Sequence, residues 1–139
     1  MIGFLQAVIK NPSRSLIMVN KAGGTVTTQN YLMSWNTGLA ENASSGSGPE
    51  DLIGVCNQTI AAAEALTQVP IIELFENDVW LVDCTNNSVA TDNGQRMVLG
   101  ANAYTVNNTH TTSAVGIVEQ VDVFGATGDK KILVKFVTN

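Results

Sequence analysis

The chain has 139 residues, room for one domain whose core can form without metals or disulfides. Hydrophobic residues make up 45% and charged residues only 14%, a balance that excludes disorder over most of the length. A net charge of −5 excludes nucleic acid as the main partner, because phosphate binding needs clustered Lys and Arg.

In chain order, apolar groups at Ile2, Phe4, Leu5, Val8 and Ile9 fit a short amphipathic helix or an extended arm. Asn11-Pro12-Ser13 ends it. Ser15 to Asn20 predicts a strand, Ala22-Gly23-Gly24 a turn, and Thr25 to Trp35 a second strand. Asn42 to Glu50, rich in Ser and Gly, predicts a flexible loop. Leu52 to Asn57 is an apolar strand. Thr59 to Leu66 is Ala-rich and is the best place for a single short helix. Val69 to Phe75 and Val79 to Cys84 are strands parted by a turn at Asn77-Asp78, with Pro70 confined to a strand start or edge. Turn clusters follow at Asn86-Asn87 and Asp92-Asn93-Gly94, the second holding an Asn-Gly hairpin signal. Met97 to Leu99 and Ala103 to Val106 are strands around Gly100. Val115 to Asp122 and Lys131 to Val137 form a hairpin with its tip at Phe124 to Asp129.

Short strands separated by turn signals predict an all-β class: a single β-sandwich or jelly roll, or a small β-barrel, with an extended N-terminal arm and at most one short helix. Residues 1–40 are the arm and first strands, 41–50 the flexible Ser/Gly loop and 51–139 the β body of one domain. The chain also echoes itself. Ile53-Gly54-Val55 followed by Ile71 to Phe75 matches Val115-Gly116-Ile117 followed by Ile132 to Phe136. Two such hairpins could pair into one barrel, each glycine allowing a bend or a close backbone approach.

The polar surface is built from uncharged groups, with fourteen Thr and fourteen Asn against five Lys. Such a surface carries little charge repulsion and many hydrogen-bonding groups, which suits contact with other protein. Residues 1–40 carry Lys10, Arg14 and Lys21 without an acid, a charge of +3, while residues 41–139 sum to −8. A basic arm ahead of an acidic body suits a docking surface of opposite sign.

No arrangement of residues predicts catalysis. His110, the only histidine, lies in a polar turn without a nucleophile motif beside it. Asp78 and Asp83 fall on opposite faces of their strand, Glu73 and Glu76 are similarly a poor pair, and the glycines form no phosphate loop. Neither a cofactor nor a metal site is expected. Cys56 and Cys84 read as small core residues, with a disulfide between them left open. Four Asn-x-Ser/Thr matches follow from composition alone. No apolar run is long enough for a membrane span, and the first ten residues lack the basic start of a signal peptide. Tyr31, Trp35, Trp80 and Tyr104 are spread among β-type neighbours. Trp80 is expected in the core, and Trp35, beside the loop, at an interface.

The runs Val79 to Thr85, Arg96 to Gly100, Ala114 to Glu119 and Lys131 to Phe136 resemble the capsid decoration, or cement, proteins of tailed bacteriophages. The likeness covers residues 50–139. It implies a non-enzymatic protein made in the host cytoplasm and carried on the outer capsid surface of the virion. Its partner would be the major capsid protein, with self-association as a dimer or trimer and no nucleic acid or membrane. Phe4, Leu5, Ile9, Lys10, Arg14, Lys21 and Trp35 are the expected capsid or oligomer contacts. A glycan- or receptor-binding adhesin module, using Tyr104 and the Asn107 to Ser113 loop, is the alternative from another class. A small hydrolase and another phage head or tail part are the others.

Overall fold

The computed structural model describes residues 3–6, 15–23, 26–61, 68–109, 116–126 and 128–137. Among them are eleven strands: β1 (Leu5–Gln6), β2 (Leu16–Asn20), β3 (Leu32–Asn36), β4 (Leu39–Asn42), β5 (Leu52–Cys56), β6 (Gln68–Glu73), β7 (Trp80–Cys84), β8 (Arg96–Leu99), β9 (Thr105–Asn107), β10 (Val118–Val123) and β11 (Lys131–Phe136). Single 3-10 turns at Pro49–Asp51 and Ala90–Asp92 are the helical content of the described residues. The protein is mostly β, as its sequence predicts. Most of the Ala-rich stretch Thr59 to Leu66 lies outside the described residues, and Ile60 at its start bridges Thr27.

The strands form two sheets. In the first, β2-β6-β5-β3-β4 run antiparallel, and the sheet curls until Lys21, just past β2, bridges Ala40 of β4 in parallel. In the second, β7-β11-β10-β8-β9 run antiparallel. There β9 returns to pair in parallel with β7, Asp83 with Thr105 and Cys84 with Val106, which closes a five-stranded barrel. β1 adds to the half of that β7 edge which β9 leaves open, Leu5 opposite Leu81 and Gln6 opposite Trp80.

The two sheets share one topology. In each, the first strand in chain order is flanked by the fifth, then the fourth, second and third, and the third meets the first in parallel. Leu16 and Trp80, which open the two first strands, are 64 residues apart, and so are Leu32 and Arg96, which open the second strands. The internal echo lies on the equivalent hairpins, β5–β6 and β10–β11. The two copies do not pair into one barrel; each inserts into its own sheet, between that sheet's first and second strands. Gly54 is needed for close approach, since a Cβ there would sit 2.1 Å from the Ile72 carbonyl oxygen.

Two apolar clusters follow from this layout. Val19, Met33, Ala40, Ile53, Cys56, Ile60, Val69 and Ile71 fill the first sheet's concave side. The larger cluster fills the second barrel around Trp80, Val82, Met97, Leu99, Ile132 and Phe136, and takes in Leu32, Val55 and Ile72 from the first sheet. β5 and β6 thus feed both clusters, which explains their continuous apolar runs. β7 is buried on one face only, and Trp80, Val82 and Cys84 alternate with the half-buried Leu81 and Asp83.

Local departures from expectation have local causes. Thr25 to Trp35 is not one strand, because the Tyr31 N–H closes a turn on the Thr28 carbonyl at 3.0 Å and Asn30 takes φ 74°. Asn93-Gly94 joins no hairpin. It leads from a 3-10 turn into β8, which pairs with β9 and β10. The two-residue hairpin turn is instead Thr37-Gly38, with φ of 49° and 84°. Pro70 is the third residue of β6, between β2 and β5, rather than at an edge. Its carbonyl accepts the Asn57 N–H at 2.9 Å, so its nitrogen faces the same side, where the β5 ladder has already ended. The segment 43–51 connects β4 to β5 within one sheet, where Leu32 of β3 pairs with Val55 of β5.

Candidate contact surface

The residues expected at a contact surface are scattered by the fold. Phe4 is 1% exposed; its N–H donates to the Asn30 carbonyl at 2.7 Å and its ring packs 5.2 Å from that of Phe136. Lys21 is fully buried where β2 meets β4, and its Nζ donates to the Ala22 carbonyl at 3.3 Å. The expectation that these two contact another molecule is therefore corrected, because both side chains are interior. Leu5 is half-buried in β1. Ile9, Lys10 and Arg14 lie outside the described residues. Trp35 is 45% exposed on β3, next to the Thr37-Gly38 turn.

Among the described residues Leu16, Met18, Val26, Val89, Val121 and Phe124 are further exposed apolar side chains, and Leu16 and Met18 share one strand. Leu16 and Met18 are 47% and 53% exposed on β2, while Ile17 and Val19 between and beyond them turn into the core. Their strand partners are Ile72 and Pro70, so the exposed pair extends an apolar face. In the sequence Leu16-Ile17-Met18-Val19 is four apolar residues in a row, and nothing in that run says which pair faces out.

Charge divides between the sheets. Among the described residues of the first sheet the only base is the buried Lys21, against Glu41, Glu50, Asp51 and Glu73. The second barrel carries Arg96, Lys130, Lys131 and Lys135 against Asp83, Asp92, Glu119, Asp122 and Asp129. Lys131 pairs with Asp83 at 2.6 Å and Lys135 with Glu119 at 3.1 Å, both partly exposed cross-strand pairs of small energetic worth. A shallow cleft of about 130 Å³ lies between Glu76, Arg96, Glu119 and Lys135, floored by Phe136 and Val137. Its acids and bases balance, which gives no preference for either sign of ligand.

No three of His, Cys, Asp and Glu converge among the described residues. His110 lies outside them. The Tyr31 and Tyr104 rings, just before β3 and β9, meet at 4.5 Å. Burial, and then the neighbouring Tyr104 phenol, push the Tyr31 phenol above its ordinary value.

Part of the Asn content is structural. The buried Asn108 accepts the Asn86 N–H at 2.9 Å and donates to the Asn86 carbonyl at 3.1 Å, bracing the turn after β7. Asn108→Ala leaves both backbone groups without that partner, and a loss of about 1–3 kcal/mol in urea unfolding is expected.

Both cysteines are free and buried. The Cys84 thiol donates to the Asn86 carbonyl at 3.1 Å, and the Cys56 thiol to that of Gln58 at 3.0 Å. Burial, reinforced by Asp83 and opposed by Lys130 and Lys131, pushes the Cys84 thiol up from 9.0 to about 11. The unfolded chain therefore loses this proton first. The associated stability is present below the unfolded value and is lost as pH rises through the folded one. Comparing urea midpoints of wild type and Cys84→Ser across that window isolates the effect. An equal decline in the two proteins would contradict it.

No protein-family model matches the chain, and no curated protein matches its sequence. The fold defines two five-stranded modules of equal topology, a curled sheet and a small β-barrel, the latter completed by an N-terminal strand.

Proposed function

We propose that this chain is a non-enzymatic structural protein that coats the outside of a tailed-phage capsid and strengthens contacts between major capsid protein subunits. The observation that carries the reading is the set of half-exposed apolar side chains, Leu16, Met18 and Trp35, on a surface of low charge. Isolated large apolar groups are ordinary on any protein. Here Leu16 and Met18 continue the apolar face of Ile72 and Pro70, while Trp35 stands opposite Ala40 on the other face of the sheet. The sequence likeness to decoration proteins supports the same reading.

Binding to the expanded lattice, but not to free subunits, stabilises that lattice by mass action. Lys10 and Arg14 supply a salt-dependent part of the attraction, which weakens as screening shortens the reach of charge. Cosedimentation with expanded shells and with unexpanded procapsids tests the role. Saturable binding to expanded shells alone, with a higher shell melting temperature, is the expected result. Trp35→Ala should weaken it by about tenfold or more, as for a central aromatic anchor. Absence of binding to either shell removes this reading. The adhesin alternative then gains from the Tyr31–Tyr104 pair, a ring surface of the kind that stacks on sugars, and a glycan array tests it.

A further inference from the structure

We infer that the outward edge of β2 is where this protein engages its shell, by accepting an extended segment of the shell subunit as an added antiparallel strand. The inference rests on the coating role proposed above. The Ser15 carbonyl accepts the Glu73 N–H at 2.8 Å, so the odd-numbered residues of β2 turn their backbone groups toward β6. Leu16, Met18 and Asn20 then turn theirs to the opposite edge. Ala22, in the same phase, donates its N–H to the Ala40 carbonyl at 2.9 Å. β4 therefore covers only the far end of that edge. Among the described residues no strand pairs with Leu16 or Met18 on that side.

The second barrel shows what fits such an edge. Its first strand, β7, has Asp83 and Cys84 covered by β9, while Trp80 and Leu81 take β1. Ile17 and Met18 stand at the equivalent positions of the first sheet, 63 residues earlier, since the Ala22 N–H on the Ala40 carbonyl matches the Thr85 N–H on the Val106 carbonyl. The segment that fits is thus short and extended with an apolar anchor, as Phe4-Leu5-Gln6 is. This chain's own copy of that segment is already used, with Phe4 buried against Phe136. The occupant of β2 comes from the partner. Its alternate side chains are apolar, to lie beside Leu16 and Met18. Lys or Arg at its ends suits a sheet whose accessible charges, among the described residues, are Glu41, Glu50, Asp51 and Glu73. Main-chain hydrogen bonds supply the affinity and the apolar neighbours the register, as in other cases of strand addition.

The test removes one hydrogen bond donor. Met18→Pro deletes the outward N–H of an edge position that tolerates proline, and leaves the β2–β6 ladder intact. Met18→Leu controls for the side chain. Both proteins and wild type are cosedimented with expanded shells after circular dichroism and urea unfolding confirm the fold. Met18→Pro should bind at least about tenfold more weakly, with Met18→Leu near wild type. Amide hydrogen exchange gives an independent reading. The Leu16 and Met18 amides should exchange freely in the isolated protein and become protected on the shell. If Met18→Pro fails to fold, this exchange result decides alone. Wild-type binding by a folded Met18→Pro protein overturns the edge and leaves the coating role standing. Slow exchange at Leu16 and Met18 in the isolated protein also overturns it, by showing the edge filled from within the chain. No binding by wild type overturns the coating role, and this occupant with it.

Discussion

Truncating Phe136 to alanine should lower the free energy of unfolding by about 3–5 kcal/mol, the range for removing a fully buried aromatic. The ring is 2% exposed and lies 5.2 Å from Phe4 and 5.7 Å from Trp80, edge-on to the latter. It therefore joins three pieces of chain that are remote in sequence: the arm, the strand that opens the second barrel and the strand that ends it. Two aromatic contacts are lost along with the buried area. Urea unfolding followed by far-UV circular dichroism gives the midpoint and slope. A loss below about 1.5 kcal/mol would mean that Phe4 and Trp80 repack into the vacated volume, and would remove Phe136 as the junction. Phe4→Ala should reproduce part of the loss, and the double variant should fall short of the sum because the two rings share a contact.

A single added methyl at Gly54 should cost about 3 kcal/mol, the top of the range for overpacking a core. Its Cβ would meet the Ile72 carbonyl oxygen at 2.1 Å and the Ile71 Cγ2 at 2.8 Å. The first obstacle is backbone of the neighbouring strand, so relief requires β5 and β6 to separate. Gly38→Ala is the informative comparison. At Gly38 nothing lies within 4 Å of the added carbon, and the cost comes only from φ +84°. That backbone penalty is about 1 kcal/mol. Thermal or urea unfolding of the two variants should therefore differ by about 2 kcal/mol, with Gly54→Ala the less stable. Equal losses would show that β6 shifts easily, and that the close approach at Gly54 is not a constraint on the sheet.

Much of the strand content was legible because it rests on local chemistry. Val79 to Cys84 is rich in apolar and β-type residues, and the structure places a strand at Trp80–Cys84 with Trp80 in the core. Ser15 to Asn20, Leu52 to Asn57 and the final hairpin are similarly marked by β-branched residues. Pairing was not legible, because it joins segments far apart in the chain. The first strand of each sheet lies beside its last, and no window of residues carries that information. The duplication was visible only at the hairpins that hold Gly54 and Gly116, since the other equivalent strands share a place rather than a sequence. Turn chemistry misled in one instance, with Asn93-Gly94 serving a strand entry and the plainer Thr37-Gly38 making the tight hairpin.

The contact surface was the least legible part. Phe4 and Lys21 belong to residue types that normally mark a binding arm, an apolar anchor and a cation. Burial of Phe4 follows from a pocket built by residues near the other end of the chain. Burial of Lys21 follows from the parallel bridge that closes the first sheet. Leu16 and Met18 were hidden for the opposite reason. An unbroken apolar run reads as core, and only the register with Ile72 and Pro70 shows half of it turned outward.

The position of β1 also sets an order of events in time. On the ribosome the first sheet has all its strands once Glu73 has emerged, yet Gln6 must still await Trp80, and Phe4 must await Phe136. Phe4 to Gln6, made before every strand of the first sheet, are thus among the last to find their place. Throughout that interval an apolar tail hangs from a nearly finished module, close to other nascent chains on the same message. Release of a chain cut short before Phe136 leaves that tail without its home, free to enter the second barrel of a complete neighbour. Such a fragment would compete for the second barrel in proportion to its abundance, and its effect would vanish when Phe4 is replaced by a polar residue.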